Sequence, residues 1–414
     1  MSMKSVPAVV ALVSLFLSPC FADDLTQRVA IEPATIKSWP PGCAAGIGLG
    51  APLLFPYFEV DLDNPEGVTT LISANNGLET PGVARMILWT DWGVPTLAFD
   101  VYFDPSDIQT INLRSIFSGV VPSTGASADL TGFPFCDVFP PYHANPAISA
   151  ERMEQLRAAH TGRQGPIDGL CHGADHGDEL ARGFITVDSV YQCGGLETIS
   201  PENTPANPSA NYFDNGRPGG IANDLDMLWG DAVILDNANN AAQGTAAVTL
   251  WADPVGFGDN NIYTFYGRFS EWDGRDDRVP LPTEWVQRFL NGGPFGGGAD
   301  LIVFRQPNHA EASPIACGES PAWYPLQASI ITSDEDGGGE VIHRSDIFGL
   351  VTQRVSVGGF DPSPSASFGR VHITGDADQI WVQPVLTGLG RFGVGLNGTA
   401  ITTLCGSHVP TVQQ

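Results

Sequence analysis

Residues 84–113 read ARMILWTDWGVPTLAFDVYFDPSDIQTINL, and their pattern decides the fold class. The run 84–89 is apolar almost throughout, as expected of a strand at the centre of a sheet or buried on both faces. Residues 97–104 alternate instead. Leu97, Phe99, Val101 and Phe103 share one face, while Ala98, Asp100, Tyr102 and Asp104 share the other, which should be partly wet. Asp104-Pro105-Ser106-Asp107 is turn chemistry, because proline presets φ and the Asp and Ser side chains bond nearby amides. Alternation resumes after it, with Ile111 and Leu113 inward. The stretch therefore reads as three strands with Asp91, Asp104 and Asp107 near their turns.

The same signals recur outward in both directions. Segments such as PLLFPYFEVD (52–61), VTTLISANN (68–76), GFITVDSVYQC (183–193) and ADLIVFRQ (299–306) are short, strand-like and bounded by turn residues. Counted to the end, the chain holds about fifteen candidate strands and two candidate helices. One helix is expected at 149–162, capped by Ser149, with Met153, Leu156 and His160 on one face and Gly162 as its stop. The other is expected in PLPTEWVQRFLNGG, between the cap Thr283 and Gly292. The expected class is all-β: two antiparallel, immunoglobulin-like β-sandwich domains with one or two short helices in the connections. The loop-rich segment 122–181 separates an N-terminal sandwich (45–121) from a C-terminal one (182–410). A weak recurrence of strands ending in Asp turns suggests that the latter is a duplicated sandwich.

Residues 1–22 form a secretory leader in outline. Lys4 precedes an apolar run from 6 to 17, and Cys20-Phe21-Ala22 supplies a cleavage site after Ala22. That run is too short to span a bilayer, and no later segment is long and apolar enough. Lipidation at Cys20 is disfavoured by Pro19 just before it. Beyond the leader six cysteines remain: Cys43, Cys136, Cys171, Cys193, Cys317 and Cys405. An even number in an exported chain points to disulfides, without fixing which cysteines pair.

Lys+Arg number 19 against 46 Asp+Glu, a formal charge of −27 that repels nucleic acid and anionic membrane surfaces. A solvated acidic surface is the plainer reading of that charge, and cation binding the sharper one. Two acidic turns carry the sharper reading. DLDNPEG offers Asp61 and Asp63, and SDEDGGGE offers Asp334 and Asp336, as calcium ligands at alternate positions, although neither completes an EF-hand loop. In CHGADHGDE, His172 and His176 stand four apart like metal ligands. Gly173 and Gly177 oppose the helix that would align them. Trp92 and Trp272, next to turns, are the candidates for exposed sugar-stacking rings, whereas Trp89, Trp251 and Trp381 lie in apolar runs and belong to the core. No nucleophile elbow, zinc-protease or phosphate-loop motif is present, so no catalytic or cofactor-binding residue is picked out.

Four stretches, 69–76, 87–119, 181–193 and 228–244, resemble a group of secreted bacterial proteins of uncharacterised function. The resemblance implies an exported, strand-rich protein and brings no site residues with it. The expectation is an exported, non-enzymatic structural or binding protein of the bacterial envelope or extracellular space, whose partners would be glycans or other envelope proteins. The alternatives are a carbohydrate-binding or carbohydrate-cleaving protein and a calcium-dependent assembly or adhesion subunit.

Overall fold

The computed structural model describes residues 48–122 and 147–400, except 192, 208–211, 214–219, 253–263, 268, 270–277, 294–295, 307–312, 320, 322–327, 334–338, 345–348, 361–366, 376–378, 389–391 and 396–398. The expected leader, Cys43, Cys136, Cys405, Trp272, Asp334 and Asp336 lie outside the described residues.

The chain is all-β. Its first half supplies β1 (Pro52–Asp61), β2 (Thr69–Asn76), β3 (Gly82–Thr90), β4 (Pro95–Phe103), β5 (Ile108–Asn112), the helices α1 (Leu113–Phe117) and α2 (Ala150–His160), and β6 (Leu180–Ser189). There follow β7 (Glu197–Thr198), β8 (Leu228–Asp236), β9 (Ala241–Ala246), β10 (Val248–Thr249), β11 (Glu284–Leu290) and β12 (Gly298–Gln306). The last strands are β13 (Ala328–Ser333), β14 (Gly339–Arg344), β15 (Thr352–Ser356), β16 (Phe368–Gly375), β17 (Gln379–Gly388), β18 (Phe392–Gly395) and β19 (Thr399–Ala400). They build four antiparallel sheets, ordered β10-β1-β6-β3-β4-β7, β5-β2-β8-β9, β15-β12-β17-β18 and β14-β13-β16-β11-β19. Among the described residues no helix is long and apolar enough to cross a membrane.

The six-stranded sheet is buried on both faces. Leu54, Ile87, Trp89 and Phe184 enter one core cluster, which also takes Trp285, Phe304 and Trp381 from two other sheets. Leu53, Phe55, Met86, Leu88 and Phe99 enter a second cluster with Ile72, Ile111 and Leu113. Each large apolar side chain so buried contributes roughly 1.5–3 kcal/mol. The uninterrupted apolar run of β3 is thus explained, since that strand lies between β4 and β6.

The wet face expected for β4 is not observed: every residue from Pro95 to Phe103 is buried. Asp100 tolerates this because Arg85, its cross-strand partner on β3, is buried with it and donates to its carboxylate at 2.9 Å. The guanidinium also reaches Glu197 at 2.7 Å and the carbonyls of Gly195 and Asn203, so a charged pair is hydrogen-bonded throughout. A second strut stands one strand away. Asp188, opposite Arg85 on β6, accepts from the hydroxyls of Tyr212 and Tyr266.

Segment 284–290 is a strand, not the expected helix. Trp285, Gln287 and Phe289 are buried while Val286, Arg288 and Leu290 are less so, a period of two that the inward polar Gln287 disguises in the sequence. Gln287 is accommodated by donating to the carbonyl of Val382. The helix at 149–162 does form. The Ser149 side chain caps α2, Leu156 and His160 are buried, and Gly162 takes φ +70° just past its end. A short helix that the alternation did not foretell, α1, is capped by Asn112.

β6 begins at the end of the loop-rich segment and pairs with both β1 and β3, while β8 pairs with β2. Strands from the 45–121 and 182–410 segments therefore share two sheets. Residues 41–414 make one compact unit.

Candidate functional site

The polar site begins with an irregularity in β1. Phe55 pairs with Ile185 and Phe58 with Gly183, so β1 carries one extra residue, a bulge holding Pro56 and Tyr57. Proline suits a bulge because it has no amide hydrogen to leave unpaired. Opposite it, Gly183 is required: a Cβ there would lie 2.0 Å from the carbonyl oxygen of Trp89. The free carbonyl of Pro56 is taken by the hydroxyl of Thr352 on β15, which ties two sheets together.

Past the bulge, Tyr57, Glu59, Arg182, Asp300, Thr352, Gln353, Arg354, Ser356, His176 and Leu350 line a cleft of about 360 Å³. Its floor is strand-built. Glu59 and Arg182 are direct cross-strand partners on β1 and β6, and Arg354 and Asp300 come from the paired strands β15 and β12. The Tyr57 hydroxyl donates to Glu59 Oε1. Arg182 forks onto both oxygens of Asp178 at 2.8 and 2.7 Å. Arg354 places Nε and Nη2 on Asp300 Oδ2, both at 2.8 Å. Glu59 stands between the two guanidinium groups, with Arg182 Nε at 3.9 Å and Arg354 Nη1 at 3.6 Å.

Burial pushes the Tyr57 phenol well above its ordinary value, and the neighbouring Glu59 adds to the rise, so the hydroxyl stays a donor. For Arg354, burial works against the charge, but Glu59 and Asp300 overcome it and hold the pKa above the usual guanidinium value. Arg182 is raised in the same way, burial being outweighed chiefly by its hydrogen bond to Asp178.

Asp91 holds one wall of this cleft. Its carboxylate accepts the amide of Ala174 at 3.0 Å and faces His176 Nε2 at 2.9 Å, and its main-chain oxygen takes the amide of Val351 at 2.8 Å. One turn residue of the opening stretch thus fixes both the 174–176 loop and the entry to β15. The loop is also stapled by the Cys171–Cys317 disulfide. Cys193 is disulfide-bonded as well, and its partner lies outside the described residues.

The two histidines of CHGADHGDE do not converge. His172 is buried, with Nε2 2.7 Å from Asp168, while His176 turns to Asp91. Asp61 directs its carboxylate to the amides of Asp63 and Asn64, and Asp63 itself is exposed. The carbonyls of that turn converge on a cation that the chain itself supplies. Arg114 donates to the oxygens of Asp61, Asn64, Gly67 and Val68 at 2.7–2.9 Å. Among the described residues no three His, Cys, Asp or Glu side chains are grouped so as to hold a metal ion.

Trp92, expected at the surface, is only 7% exposed and packs with Val94 and Cys171. Among the described tryptophans, Trp229 on β8 is the one that stands out, at 40% exposure. Of the cleft residues the sequence singled out His176 alone, and as a metal ligand rather than as part of this cleft. Their one signal is Pro56 inside an apolar strand run, which marks a bulge and hence a place where side chains are re-aimed.

No family model, curated protein or solved structure matches this chain.

Proposed function

We propose that the chain is an exported, non-enzymatic binding protein of the envelope or extracellular space, and that the cleft on β1, β6, β12 and β15 is its ligand site. The observation that carries this reading is how the polar groups of the cleft are held. Its guanidinium and carboxylate groups sit on paired strands of two sheets, and each is already bonded or charge-matched by a neighbour. Such an arrangement presents fixed donors and acceptors to a ligand, and fixed groups lose little freedom on binding. The one hydroxyl–carboxylate contact in the lining, Tyr57 on Glu59, involves a phenol that burial keeps protonated, which suits a fixed donor better than a nucleophile. The export part of the reading is supported by the leader-like start and by a disulfide joining residues 146 apart, a bond that persists in oxidising compartments.

The test is a paired assay on the mature, oxidised protein, measuring small-solute binding by calorimetry and turnover of a glycoside and ester panel. Saturable binding that weakens at least tenfold in Arg354→Met, without turnover, is the expected result. Turnover that disappears in Glu59→Gln would overturn it.

A further inference from the structure

The hydrogen-bond inventory of the cleft narrows the chemistry of what it takes, an inference that rests on the cleft being the binding site. Arg182 commits one N–H of Nη1 and one of Nη2 to Asp178, and its Nε–H lies 3.9 Å from Glu59 Oε1. Arg354 commits its Nε–H and one N–H of Nη2 to Asp300, and its Nη1 lies 3.6 Å from Glu59 Oε2. Both separations exceed hydrogen-bond length. Neither nitrogen is a buried atom without a partner, so each reaches solvent. Glu59 Oε2 and Asp300 Oδ1 accept no hydrogen bond from the protein, so the cleft offers acceptors as well as donors.

We infer that the cleft binds a neutral polyhydroxylated ligand, of the size of one sugar residue, with hydroxyl groups seated between Glu59 and the free N–H groups of Arg182 and Arg354. A hydroxyl is both donor and acceptor, so one such group accepts from a guanidinium and donates to the carboxylate beside it. Charged ligands fit worse. An anion drawn to either arginine meets Glu59 between them, and a cation drawn to Glu59 meets an arginine on each side. The volume of about 360 Å³ lies at the low end of the roughly 300–1,000 Å³ usual for small-molecule sites.

The experiment is calorimetric titration of the mature protein with four probes: a panel of neutral hexoses and pentoses, a hexuronic acid, an amino sugar and glycine. The expected result is saturable binding of at least one neutral sugar, weaker by tenfold or more for the hexuronic acid and the amino sugar. Glu59→Gln and Arg354→Lys should each reduce that affinity at least tenfold, with the folded circular-dichroism spectrum retained. Should Glu59→Gln not fold, Ser356→Ala, which alters only the rim, should still lower the affinity severalfold. Preferential binding of the acid, the amino sugar or glycine, lost on Arg354→Lys, would overturn the ligand class and leave the cleft as a binding site. If none of the probes binds, both the class and the cleft reading fall.

Discussion

Replacing Arg85 with methionine tests whether the buried polar row holds the central sheet together. The substitution keeps most of the side-chain volume and removes the guanidinium from Asp100, Glu197 and the carbonyls of Gly195 and Asn203. Breaking a buried pair by removing one partner costs about 3–5 kcal/mol, because the other charge is left without compensation. The two orphaned carbonyls work in the same direction, so about 4 kcal/mol is expected at neutral pH. The pH dependence is the more discriminating readout. In the native protein burial pushes Asp100 upward, while Arg85 and the Gly195 and Gly194 amides pull it down. Without Arg85 it rises further. A carboxyl raised in the folded state favours folding when protonated, a contribution present below its unfolded pKa and lost as pH rises through its folded one. The deficit of Arg85→Met should therefore be largest near pH 7.5 and shrink toward pH 4.5. In Arg85→Met/Asp100→Asn the total loss should fall short of the sum of the two singles by about 2 kcal/mol. Urea unfolding at the two pH values measures all of this. A loss under about 1 kcal/mol, or one that does not change with pH, would refute the argument.

Further outcomes follow from the same geometry. Trp92→Ala should cost about 3–5 kcal/mol in urea unfolding, whereas Trp229→Ala should stay within about 0.5 kcal/mol. Arg114→Met, which strands four carbonyls of the 61–68 turn, should cost about 2 kcal/mol and speed amide exchange there. Removing the disulfide by Cys171→Ser/Cys317→Ser should cost about 2–5 kcal/mol and raise proteolysis within 171–179. Burial lowers His160 to about 4, so its contribution to stability is complete above pH 6.5 and lost as pH falls from there through 4, a decline that His160→Gln should flatten. Burial raises Asp226 to about 7, so its contribution is lost as pH rises from about 4 through 7, and Asp226→Asn should flatten that side of a thermal-melt profile.

The strands were legible where hydrophobicity alone decides their position. β1, β3, β12 and the capped helix α2 follow directly from apolar runs, alternation and end signals. Errors arose where a polar residue lies inside. Asp100 made β4 read as half wet, although its arginine stands directly opposite on β3 and cannot be matched to it without the register. Gln287 broke the period of β11 and left a helix-like spacing of Trp285, Phe289 and Leu290. The cleft was illegible for the same reason. Glu59, Arg182, Asp300 and Arg354 are scattered over nearly 300 positions, and each by itself resembles an ordinary solvated residue of a strand.

The charge pattern takes on a different meaning once the arginines are placed. Arg85 and Arg278 are wholly buried and lie beside the buried acids Asp100 and Asp188. Arg114 and Arg157 cap backbone carbonyls, and Arg163, Arg182 and Arg354 face Glu179, Asp178 and Asp300. The two lysines, Lys4 and Lys37, precede the described residues. Arg85, Arg114, Arg157, Arg278 and Arg354 thus use a planar, always-charged fork to join segments distant in sequence, while Arg152, Arg288 and Arg370 stay exposed. Acids far outnumber these arginines, and the formal charge of −27 follows from that excess. Of these arginines, Arg182 and Arg354 reach Glu59 from two sheets and keep N–H groups that no protein acceptor takes.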